Sequence, residues 1–128
     1  MLSRLAREFA AEICFQDWSD AHTRLDRAGH RREEDPSSAN YDQLDEIATD
    51  AVRTNVFWVV AQVLKHEDPN LDLHEFAAAC GVPDEYVRTR NGRLNGLITA
   101  GIRFSDRKNS LARLPRLLEE NPNWPAEA

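Results

Sequence analysis

LHEFAAACGVPDEYVRTRNGRLNGLITAGI, residues 73 to 102, decides how this chain is read. Leu73 to Cys80 is a short run of good helix formers stopped at Gly81, a residue able to take the left-handed backbone that closes a helix. Pro83 then supplies the fixed φ of a first helical turn, and Asp84 and Glu85 stand where a helix dipole favours negative charge. A second helix is therefore expected to start three residues after the first ends. Its apolar positions Tyr86, Val87, Leu94, Leu97 and Ile98 fall within about a third of a helix circumference at 100° per residue, and Gly101 ends it. Helix, glycine turn and helix make the unit that can present its second helix to a DNA groove.

Charge points the same way. From residue 86 to 118 there are eight basic side chains (Arg88, Arg90, Arg93, Arg103, Arg107, Lys108, Arg113 and Arg116) against the single acid Asp106, in a protein of formal net charge −6. A cationic segment set on an acidic body is the footprint expected for binding phosphates, with salt-dependent affinity through counterion release. Upstream, Leu44, Ile47, Ala48 and Ala51 run into the apolar stretch VFWVVAQVL (56 to 64). With no turn residue from Tyr41 to Glu67, this predicts one long, mostly buried helix ending near His66, opened by Asn40 and Gln43 as a capping pair. At the N-terminus, Leu2, Leu5, Phe9 and Ile13, continued by Trp18, Ala21, Leu25 and Ala28, predict an amphipathic helical arm, with a break near residues 17 to 19. Residues 29 to 40 (GHRREEDPSSAN) have no apolar period and are expected to form a mobile connector. After Gly101, Ile102 to Phe104 and Ser110 to Leu114 can pair as two short strands around SDRKN, with a last helical turn opening at Pro115.

The stretch from Val56 to Leu114 resembles the winged helix-turn-helix of MarR-like transcription regulators. The resemblance is carried by PNLDL before the first motif helix, by EFAAACGV, and by RLNGLITAGI, which is similar to that family's RLxxLxxAGL lead into the wing. It implies a mainly α fold: residues 1 to 40 as helical arm and connector, 41 to 118 as a winged helix-turn-helix with a short two-stranded wing, and 119 to 128 as a tail. It also implies double-stranded DNA as partner and a homodimer formed through the N-terminal arm.

Two departures from the family pattern bear on the site. Val87 is separated from Leu94 and Leu97 by about one extra helical turn containing Asn91-Gly92, so the second helix either runs one turn longer or breaks there. Arg90 stands where an apolar residue is usual, so its guanidinium must snorkel outward or pair with an acid. On a continuous helix, Arg88, Thr89, Asn95 and Thr99 share the outward face with Gly92 and Gly96. Arg88 then suits guanine and Asn95 suits adenine in bidentate contact. Arg90, Arg93, Arg103, Arg107, Lys108 and Arg113 complete the expected interface, most of them as phosphate or minor-groove contacts.

Other chemistries find little in the residues. His66 and His74 with Glu67, Asp68 and Asp72 match no metal-binding spacing, and there is no phosphate loop, no GxSxG and no CxxC, so neither an enzyme nor a cofactor is expected. Cys14 and Cys80 both lie in apolar stretches and read as small buried hydrophobes in a reducing, cytoplasmic setting. No segment has the length and apolarity of a membrane span. The rival reading is a protein-interaction adaptor or inhibitor, such as an antitoxin or phage-encoded antagonist, docking a basic partner through the acidic surface from Glu33 to Asp50.

Overall fold

The computed structural model describes residues 1–23 and 27–104. The fold is mainly helical, with α1 (Arg4–Phe15), α2 (Glu46–Glu67), α3 (Leu73–Ala79), α4 (Asp84–Val87) and α5 (Gly96–Ala100). Ser3 caps α1 by accepting from the Ala6 N–H. Only part of the expected stripe is used inside the fold: Leu2 and Ile13, with Ala6 and Ala10, are buried against α2 and α3, whereas Leu5 and Phe9 are exposed. The N-terminal helix is thus part of the core and does not project as an arm.

The break after α1 comes where expected, and among the described residues no second α-helical piece follows before α2. Trp18–Asp20 forms a 3₁₀ turn, and the Trp18 Nε1 donates to Ile13 O at 2.8 Å, bending the chain back on α1. Residues 29 to 40, expected to be mobile, are ordered as 3₁₀ turns at Arg32–Glu34 and Pro36–Asn40. A buried polar cluster holds them. His30 Nε2 lies 2.8 Å from Asp20 Oδ2 with both side chains only 1% exposed, and Arg32 donates to Asp20 Oδ1. Asp17 Oδ2 accepts from the Arg32 N–H, and its own N–H donates to His30 O.

The cap of α2 is Asp45, which accepts from Ala48 N at 2.7 Å; Asn40 instead ends a 3₁₀ turn. Twenty-two residues then run without interruption. The inward side, Thr54, Phe57 and Ala61, is buried, with Phe57 against Phe76 of α3 at 5.6 Å between ring centroids. Away from that side the helix is not buried, contrary to the expectation of a mostly enclosed helix: Asn55, Val59 and Val63 are exposed, as are Ile47 and Ala51 toward its N-terminal end. Lys65 ties down the following loop through Pro69 O and Leu71 O, which sets the entry to α3.

Ile102 to Phe104 are not in a strand, and the expected second wing strand, Ser110 to Leu114, lies outside the described residues, as do Leu25 and the turn at Pro115. Among the described residues no helix is long and apolar enough to cross a membrane.

Candidate nucleic-acid interface

The first helix and turn of the motif form as the sequence predicts. Asp72 caps α3 by accepting from Glu75 N, and Ala77 is fully buried where the neighbouring elements approach. At the other end Gly81 takes φ +86° and donates to Ala78 O, while Val82 N donates to Ala77 O at 3.1 Å. This pair of bonds is the Schellman closure, and buried Val82 supplies the apolar contact that accompanies it.

The second helix does not continue. Pro83 caps α4, and the helix ends after Val87. Arg88 and Leu94 form an antiparallel bridge, Thr89 N donates to Arg93 O at 2.8 Å, and Gly92 N donates to Thr89 O at 2.9 Å. Among the described residues no non-glycine has positive φ, and Gly92 sits at +79°. This is a three-residue hairpin, Arg90-Asn91-Gly92, closed by a glycine in the left-handed region. The chain then re-enters a helix at α5, capped by Asn95. Of the two alternatives left by Asn91-Gly92, the break occurs, and it begins four residues earlier, at Arg88.

Side chains across the break explain why it is stable. Asn95 Oδ1 accepts from Leu97 N at 3.0 Å, and its Nδ2 donates to Glu85 O at 3.3 Å. Its backbone is held too, by Asn95 N on Val87 O and by the His74 ring on Asn95 O, both at 2.8 Å. Asn95 is therefore a structural clamp between α4 and α5, and its amide is not free to read adenine. Arg88 folds over the hairpin to donate to Gly92 O at 3.1 Å. A single outward face shared by Arg88, Thr89, Asn95 and Thr99 does not exist, because residues 88 to 95 lie outside any helix.

A different cationic surface results. Arg88, Thr89, Arg90 and Arg93 are exposed on the hairpin, with Thr99 exposed on α5 and Arg103 just beyond it. Among the described residues neither Arg90 nor Arg93 has an ion-pair partner, so the Arg90 guanidinium reaches outward. Arg103 is placed by its backbone: Gln62 of α2 donates to Arg103 O and accepts from Arg103 N, both at 2.8 Å. One turn earlier, the Trp58 indole donates to Ile98 O at 3.2 Å, anchoring buried Ile98 and α5 to α2. Arg107, Lys108 and Arg113 lie outside the described residues.

The other candidate groups have structural uses. His66 Nδ1 lies 2.7 Å from Gln62 O and its ring packs on Phe104. Among the described residues no three His, Cys, Asp or Glu side chains are placed to hold a metal ion. Part of the acidic run is internally engaged: Glu33 pairs with Arg31, Asp50 pairs with Arg53, and Asp45 caps α2. Cys80 is buried as expected, whereas Cys14 is exposed. The hairpin was legible only as an Asn-Gly step; nothing local marked Asn95 as the residue that clamps it.

No protein-family model, curated protein or solved structure matches this chain.

Proposed function

We propose that the protein binds double-stranded DNA through the hairpin between α4 and α5, as a small transcriptional regulator acting on duplex sites. The observation that carries this reading is the projection of Arg90 and Arg93, without acidic partners among the described residues, from an otherwise acidic molecule. Arginines on a short hairpin suit phosphate and minor-groove contact more than base reading in the major groove. With Asn95 clamped and Arg88 turned onto Gly92, affinity is expected to come mainly from the backbone of the nucleic acid. Sequence preference then rests on duplex shape and on how two copies are spaced.

The test is fluorescence anisotropy with a random-sequence duplex over a salt series from about 50 to 300 mM, where counterion release makes log K fall linearly with log salt. Arg90→Ala and Arg93→Ala are each expected to weaken binding and to reduce the slope by about 1, leaving the melting temperature unchanged. No binding at the lowest salt, or a slope indifferent to both substitutions, rejects the reading.

A further inference from the structure

The basic segment contains the same dipeptide twice, Asn91-Gly92 and Asn95-Gly96. Asparagine before glycine is a pair open to attack within the chain, because glycine has no Cβ to shield its backbone nitrogen from the preceding side-chain amide. By sequence the two steps are equivalent. The fold makes them different.

Asn95 is held from several sides. Its Oδ1 accepts from Leu97 N at 3.0 Å, its Nδ2 donates to Glu85 O at 3.3 Å, and its backbone is bonded to Val87 O and to the His74 ring. Turning this amide onto Gly96 N means giving up both side-chain bonds and loosening α4 from α5. Asn91 stands at the tip of the hairpin, inside a run of exposed residues that extends from Arg88 to Leu94, and among the described residues its side chain makes no hydrogen bond. Space does not separate the two steps, since a Cβ on Gly92 or on Gly96 would meet nothing within 4 Å. The freedom of the amide does. What restrains Asn91 is a single backbone bond, Gly92 N on Thr89 O at 2.9 Å. A solvent-exposed bond at a hairpin tip is among the first to open in a folded chain.

We propose that Asn91 is a site of spontaneous covalent modification that turns the hairpin tip from neutral to anionic, and that Asn95 is spared. Gly92 N gives up its proton and bonds to Asn91 Cγ; the Cγ–Nδ2 bond breaks, and Nδ2 leaves with that proton as ammonia. Water then opens the cyclic imide. Addition at Cγ yields aspartate on an unchanged backbone, whereas addition at the main-chain carbonyl yields isoaspartate, whose backbone is one methylene longer. Either product sets a carboxylate in a stretch, residues 86 to 104, that holds Arg88, Arg90, Arg93 and Arg103 and no acid. The isoaspartyl form also lengthens the loop between Thr89 and Arg93, whose backbone bond closes the hairpin. The covalent change is independent of the nucleic-acid reading; only its effect on binding rests on that reading.

The test follows intact mass and peptide maps of the folded protein kept for weeks in mildly alkaline buffer, beside the same protein unfolded in guanidinium chloride. In the unfolded chain both steps should react at similar rates. In the folded chain a gain of about 1 Da, the exchange of an amide NH₂ for OH, should appear at Asn91 while Asn95 stays unchanged. Isoaspartate detected by enzymatic methylation should rise in parallel. Asn91→Ser should remove the folded-state signal with an unchanged circular dichroism spectrum and melting curve, because Asn91 is exposed. Aged protein and fresh Asn91→Asp should both bind a random duplex several-fold more weakly than fresh parent protein, with a salt slope lower by about 1. Reaction of Asn95 in the folded chain at the rate of Asn91 or ahead of it, or an Asn91 that stays unmodified there, overturns the inference. Fresh protein that binds no duplex, with Asn91 modified as expected, rejects the nucleic-acid reading alone.

Discussion

A Cβ placed on Gly101 would overlap the ring of Trp58, the side chain that anchors α5 to α2 by donating to Ile98 O. Fused aromatic rings cannot yield as a flexible chain end can, so α5 itself must shift. Gly101→Ala is therefore expected to cost about 1–3 kcal/mol in urea denaturation, the usual range for overpacking, and to move the Trp58 emission toward longer wavelength. Gly96 is the control: a Cβ there meets nothing within 4 Å. Gly96→Ala should leave stability unchanged or raise it by roughly 0.5 kcal/mol through the lost freedom of the unfolded chain. The sequence showed Gly101 as a helix end, which it is. That it is also the contact site of a residue forty-three positions earlier in the chain is a property of the folded packing, to which local composition gives no access.

At the level of elements, legibility follows how local the decision is. The bounds of α3 are set by Asp72 and Gly81, both within one turn of the helix, and of the two the stop at Gly81 was read from the sequence. The long run of α2 was equally plain, since no residue in it favours a turn. The second motif helix was not, because helix or hairpin at Thr89 to Arg93 is decided by Asn95 and His74, bonded across two other elements. The order of residues 29 to 40 was missed for the same reason: it depends on Asp17 and Asp20, both far upstream. Asp17 gives this connector a pH signature. Burial pushes its carboxyl up, but hydrogen bonds from Ser19 Oγ, the Arg32 N–H and the Ser19 N–H outweigh that and hold it below the ordinary value of 3.8. A carboxyl lowered in the folded state stabilises above its ordinary pKa and loses that contribution as pH falls through the folded one. Asp17→Asn should thus lower the denaturation midpoint at pH 7, and the gap from the parent protein should narrow as pH is taken from 5 to 3. A constant gap across that range would assign the loss to packing instead.

For the molecule as a whole, the two thiols report on opening. Cys14 is exposed, whereas Cys80 is fully buried, and its thiol is pushed up to about 12, first by that burial and then by the neighbouring Cys14. With Cys80 protonated and covered, a thiol reagent at pH 8 should modify one cysteine per folded chain promptly, and the second only through global unfolding. Its rate should climb with denaturant in step with the equilibrium transition, and prompt reaction of both would show that the core around Phe76 and Cys80 opens on its own. The molecule is also asymmetric in charge, with its basic side chains concentrated after residue 86. The side chains at positions 58 and 62, one turn apart on the longest helix, grip the backbone of the basic region at Ile98 and Arg103. Their grip fastens the basic segment to the helical body at two points, so α5 and the residues after it cannot swing away from the longest helix without breaking both.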